Sequence, residues 1–124
     1  MPASLDDVAR MALELPEVEE IVRHGARTWA VAGKVFAWER GYSKADLKRF
    51  GEQTPPAPPL LAVRVDGLEQ KEAVLADPPK GFFTIPHFDG YPAVLIELGR
   101  VGKRPLREAL IDGWSAMAPP RLLR

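Results

Sequence analysis

Leu5, Val8, Ala9, Ala12 and Leu13 recur at helical spacing and predict an opening helix. Ser4 stands at the N-cap position, Asp6 and Asp7 suit the positive end of the helix dipole, and Pro16 marks the end. The period then changes. Glu20 to Arg23 is a short β candidate, with Gly25 as a break. Trp29-Ala30-Val31 and Val35-Phe36-Ala37-Trp38 are β-type runs around Ala32-Gly33-Lys34, which predicts a tight hairpin with Gly33 at positive φ. Leu61-Ala62-Val63-Arg64-Val65 alternates as a third long strand.

Asp66 is then expected to cap a short helix, with Glu69 at the box position and an end near Ala76 before Asp77-Pro78-Pro79. Phe82-Phe83-Thr84-Ile85 and Ala93 to Leu98 read as two further strands, joined by the turn-rich run His87 to Pro92. Leu106, Ala109, Leu110, Gly113, Trp114 and Met117 trace a long amphipathic helix with Pro105 in its first turn. Gly113 falls on its apolar stripe, where glycine weakens a helix by about 1 kcal/mol, so the position predicts close packing.

The order α-β3-α-β2-α with hairpin connections implies an α+β fold. It would be a two-layer arrangement, an antiparallel sheet of about five strands with helices on one face. Leu61, Val63, Val65, Val94, Ile96 and Leu98 should face the helices. Ala62, Arg64, Thr84, Leu95 and Glu97 should lie on a partly open opposite face. Residues 40–59 read as an insertion within one domain spanning 1–124. Ser43-Lys44-Ala45-Asp46 can cap a helix to about Phe50, and Pro55 to Pro59 form a stiff connector.

With 124 residues, 46% of them apolar and none of them cysteine, the chain suits one globular domain without disulfides or thiolate chemistry. No apolar run is long enough to span a membrane and the acidic N-terminus is no signal peptide, so a cytoplasmic protein is expected. The zero net charge hides alternating blocks. Residues 1–22 carry six acids and one base (net −5), and 23–49 carry seven bases and two acids (net +5). Residues 50–97 carry seven acids and three bases (net −4), and 98–124 carry six bases and two acids (net +4). A fold that joined the two basic blocks would present a positive face; otherwise the blocks pair with the acidic ones.

No nucleophile elbow, dinucleotide fingerprint, phosphate loop or metal-ligand spacing is present, so no catalytic residue, cofactor or metal is implied. Two loops carry candidate chemistry. His87, Asp89 and Tyr91 could form a ligand or general-base loop, or simply shape a turn. Arg23-His24-Gly25-Ala26-Arg27 could contact phosphate.

Several stretches resemble the MmcQ/YjbR-like family: Ala12 to Glu20 followed by Val31 to Ala37, then Ala76-Asp77-Pro78 through Phe82-Phe83 to His87-Phe88-Asp89-Gly90-Tyr91-Pro92-Ala93-Val94-Leu95. Ala109 to Trp114 and Ala118-Pro119-Pro120-Arg121-Leu122 resemble its close. His24-Gly25 departs from the aromatic-glycine pair common in the family, and the proline-rich insertion departs from its compact members. The resemblance implies a secretion-chaperone-like or frataxin-like domain that binds DNA through a double wing. The wings would be the hairpins around Gly33-Lys34 and around His87 to Pro92, with Trp29 before the first.

Non-catalytic DNA binding is the leading expectation. Its phosphate contacts would come from Arg23, Arg27, Lys34, Lys80, Arg100, Lys103, Arg104, Arg107 and Arg121. The alternatives are a protein-binding or self-associating module using the open sheet face, anchored by Phe36 or Trp38, and a small-ligand binder at His87, Asp89 and Tyr91 walled by Trp38 or Trp114.

Overall fold

The computed structural model describes residues 2–124. Helix α1 (Leu5–Leu13) opens on a complete capping box: the Asp7 N–H donates to the Ser4 hydroxyl at 3.2 Å, and the Ser4 N–H donates to the Asp7 carboxylate at 2.9 Å. Strands β1 (Val18–Arg23), β2 (Ala26–Val31) and β3 (Lys34–Arg40) form a meander. Both of its turns are two residues long: His24 and Gly25 have φ of 52° and 74°, Ala32 and Gly33 of 47° and 83°. Positive φ at both positions is the primed-turn geometry that matches the strand twist.

Helix α2 (Lys44–Phe50), β4 (Leu60–Arg64), α3 (Leu68–Ala76), β5 (Phe82–Phe83), β6 (Ala93–Glu97) and α4 (Lys103–Met117) complete the chain. The strands join in one antiparallel sheet ordered β1-β2-β3-β4-β6-β5. The architecture is the α+β one expected, with six strands; the short candidate at Glu20 is part of a full strand, β1.

Helices α1 and α4 cover one face. Val8, Ala12, Trp29, Phe36, Leu61, Val63, Ile96, Leu98, Leu106 and Leu110 form the main core there. Val65 and Val94 are also buried, as the alternation required. Gly113 sits where α4 crosses the sheet. A Cβ there would lie 2.8 Å from a Val63 methyl, 3.1 Å from the Arg64 carbonyl oxygen and 3.3 Å from that of Phe36, so close packing accounts for the glycine.

The opposite face is partly open, as expected, and its covered part is a second core in which Ala62 and Leu95 lie with Ile85, Phe88 and Ala93. Trp38, Tyr42, Phe50 and Phe83 pack around that core, so the insertion and the 86–92 loop form a partial cover. The Tyr42 hydroxyl donates to the Pro56 carbonyl at 2.7 Å, and the Ala57 N–H donates to the Glu97 carboxylate at 3.1 Å. Burial first, then the nearby Glu97 and Asp46 carboxylates, push the Tyr42 phenol up to about 12. Glu97 is thereby buried rather than solvated.

Two smaller corrections have local causes. α3 begins at Leu68 behind Gly67 with no side-chain cap; the Asp66 N–H instead takes the Gln70 side chain at 2.6 Å. β5 stops at Phe83, because Ile85 turns into the second core and Pro86 opens a 3-10 turn.

Candidate functional site

The uncovered half of the second face is a concave surface of about 630 Å³. Ala26 and Thr28 of β2 and Val35 and Trp38 of β3 supply its floor. Its ends are the two hairpin turns, with Arg23 and His24 at one and Gly33 and Lys34 at the other. Arg40, Arg64 and Tyr91 form the wall, where the second core begins.

That wall is an aromatic cluster. The Trp38 ring centroid lies 6.3 Å from Phe88 and 6.5 Å from Tyr91, with Phe88 and Tyr91 5.8 Å apart. Two guanidinium groups rest on it, Arg40 at 5.6 Å from the Phe88 ring and Arg64 at 5.1 Å from the Tyr91 ring. Arg64 also donates to the Pro92 carbonyl at 3.1 Å and to the Tyr91 hydroxyl at 3.4 Å, and among the described residues no carboxylate pairs with it. Arg40 is bound at 3.1 Å by Asp46, the buried N3 residue of α2.

Lys71 holds the wall from behind. This buried amine on α3 donates to the Phe88 carbonyl and, at 2.8 Å, to the Tyr91 carbonyl. Burial lowers its proton affinity, and the Asp89 carboxylate partly restores it. Lys71→Met is expected to remove one donor from each carbonyl while leaving the Tyr91 N–H on Phe88 and the Ala93 N–H on Tyr91, costing about 1 kcal/mol. The loss would be read by thermal unfolding, together with a changed near-ultraviolet signal from the Trp38 cluster.

The nine candidate cations divide into two populations. Arg27 is tied to Glu20 at 2.7 Å and Asp6 at 2.9 Å, and those hydrogen bonds raise its proton affinity. Arg104 pairs with Glu108 at 3.4 Å, Arg107 with Glu14 at 3.1 Å, Arg100 with Glu97 at 3.8 Å and Arg121 with Glu17. Arg23, Lys34, Lys80 and Lys103 have no ion pair among the described residues. Of these four, Arg23 and Lys34 border the concave surface. The paired cations of the C-terminal block belong to α4 and its flanks, and α4 packs on the other face. Arg121 reaches Glu17 beside the Ala32-Gly33 turn, and the other paired C-terminal cations lie with α4 on that other face.

The loop residues separate as well. Tyr91 borders the concave surface, whereas Asp89 borders a second, shallower depression of about 620 Å³ beside Leu68 and Leu75 of α3. His87 is exposed and touches the Phe88 ring edge, with centroids 6.0 Å apart. His87 and Asp89 share no hydrogen bond among the described residues, and no metal-holding cluster of His, Cys, Asp or Glu occurs among them.

Two aromatic assignments change, those of Phe36 and Trp114. Phe36 and Trp29 are fully buried in the helix-side core, so neither can anchor a ligand; the Trp29 indole N–H donates to Glu20 at 3.2 Å. Trp114 is buried on the same side, donating to the Pro16 carbonyl at 2.9 Å. Trp38 remains in the concave surface. Arg40 and Lys71 were missed. Arg64 was placed on the right face but given no role, although a guanidinium inside the apolar run Leu60 to Val65 was the signal.

No helix among the described residues is long and apolar enough to cross a membrane. The YjbR family model matches residues 13–116, running straight through the insertion at 40–59. Uncharacterized proteins of Mycobacterium bovis (Mb2600) and Mycobacterium tuberculosis (Rv2570) are each 42% identical to the chain over 125 residues, covering 98% of it and 94% of their own length. No solved structure matches the chain. With a family match over most of its residues and relatives this similar along nearly its whole length, the chain belongs to the YjbR family.

Proposed function

We propose that the protein is a non-catalytic nucleic-acid-binding module that takes a single strand along the concave face of β2 and β3. One observation carries the reading: among the described residues Arg23, Lys34 and Arg64 have no carboxylate partner, and they lie around a trough that also presents Trp38 and Tyr91. Cations with exposed aromatic rings are the pairing that single strands use, since every base has a face to stack. The hairpin turns lie at opposite ends of β2, about 17 Å apart at the rise of an antiparallel strand. The five ion-paired cations are instead held by carboxylates of this chain, which a duplex laid on the helical layer would have to displace.

Fluorescence anisotropy with a labelled oligothymidylate tests this. Three neutralised phosphates give a log–log salt slope near −2.1, and the Lys34→Gln, Arg64→Gln pair flattens it by about 1.4. Tyr91→Ala weakens binding about tenfold through lost stacking, while Arg104→Gln changes little. Equal affinity for duplex and single strand, or a slope indifferent to Lys34 and Arg64, would refute the reading.

A further inference from the structure

We propose that two copies of this chain pair through their β1 strands to form a continuous antiparallel sheet across a two-fold axis. β1 is an end strand of the sheet and has a hydrogen-bonded neighbour on one side only; the other end strand, β5, has just two residues. An uncovered edge of six residues is a template for another strand unless something blocks it.

The two-residue turn makes Arg23 and Ala26 a hydrogen-bonded pair. Alternation then turns the N–H and C=O groups of Glu19, Ile21 and Arg23 toward β2, and those of Val18, Glu20 and Val22 toward solvent. A second β1 must therefore pair through Glu20 and Val22, which restricts the registers. Placing Glu20 opposite the partner's Glu20 sets like charges face to face. The register shifted by one pair sets Glu20 opposite the partner's Val22, Ile21 opposite the partner's Ile21 and Glu19 opposite the partner's Arg23. By two-fold symmetry it makes the Glu19–Arg23 pair twice.

The side chains suit that register. Glu19 and Arg23 are exposed and have no ion pair among the described residues. Val22 is 73% exposed, the most exposed of the described large apolar residues. In the paired sheet it would meet the partner's Val18 and the partner's Val22 on the diagonal. Arg23 also borders the concave surface, but pairing along the β1 edge does not depend on what that surface binds.

Sedimentation velocity on the full chain at micromolar concentrations tests the pairing. The wild type is expected to show a concentration-dependent dimer. Glu19→Arg and Arg23→Glu should each weaken it about tenfold or more, because each turns two attractive pairs into like-charge pairs. Mixing the two variants should restore a dimer, as Arg at 19 then faces Glu at 23 and Arg23 faces Glu19. Circular dichroism confirms that both variants fold. A wild type that stays monomeric, single variants that dimerise like the wild type, or a mixture that fails to associate would overturn the proposal.

Discussion

Gly113→Val is expected to destabilise the protein by about 3 kcal/mol or more, lowering the unfolding midpoint by roughly 10 °C. The cause is steric. The first added carbon already falls 2.8 Å from a Val63 methyl and close to two backbone carbonyls, on β3 and β4, which cannot rotate away. Val63 is itself fully buried and β-branched, so it has little rotamer freedom with which to yield. Gly113→Ala decides between two accounts by its sign. Were the glycine merely a weak helix former, alanine would stabilise α4 by about 1 kcal/mol. The contacts instead predict an overpacking cost that exceeds this gain, leaving a net loss of about 1 kcal/mol. Calorimetry on the two variants checks the order: wild type, then alanine, then valine.

That position shows what the amino-acid pattern reveals. Gly113 was conspicuous because it interrupts an otherwise apolar stripe, and the capping residues Ser4 and Ser43 were conspicuous because each cap is decided within four residues. Gly33 was legible for the same reason. The features that escaped are those decided by distant partners. Arg107 meets Glu14 and Arg121 meets Glu17 across most of the chain, and no local pattern distinguishes such arginines from free ones. Lys71 looks like a solvated helix residue until the loop carbonyls it serves are in place. The cover over Ala62 and Leu95 is made by an insertion whose proline content suggested a mere connector. What remains uncovered beside it, between the hairpin turns, is therefore a consequence of where that insertion docks.

Docking depends on Asp46, and Asp46→Ala is expected to cost about 3 kcal/mol. The carboxylate is wholly buried, accepts the Ser43 N–H at 2.9 Å to close the α2 capping box, and holds Arg40 at 3.1 Å. Losing the bond to the Ser43 N–H costs about 1 kcal/mol, and stranding the largely buried guanidinium accounts for the rest. Burial pushes the Asp46 carboxyl upward. The Ser43 backbone and hydroxyl and then Arg40 outweigh it, so the group ends below the usual carboxylate value. A carboxylate lowered by folding adds stability above its unfolded value and surrenders it as the pH falls through the folded one. The gap between wild type and Asp46→Ala should therefore be full near neutrality and shrink only below about pH 4. Ser43→Ala, which spares the ion pair, should lose about 1 kcal/mol. Since Arg40 rests on the Phe88 ring, Asp46→Ala should also disturb the Trp38 cluster, and with it oligonucleotide binding. Urea titrations across pH, followed by Trp38-sensitive fluorescence, separate these effects. An Asp46→Ala protein whose stability gap persists unchanged at pH 3 would mean that the ion pair contributes nothing to holding the insertion on the sheet.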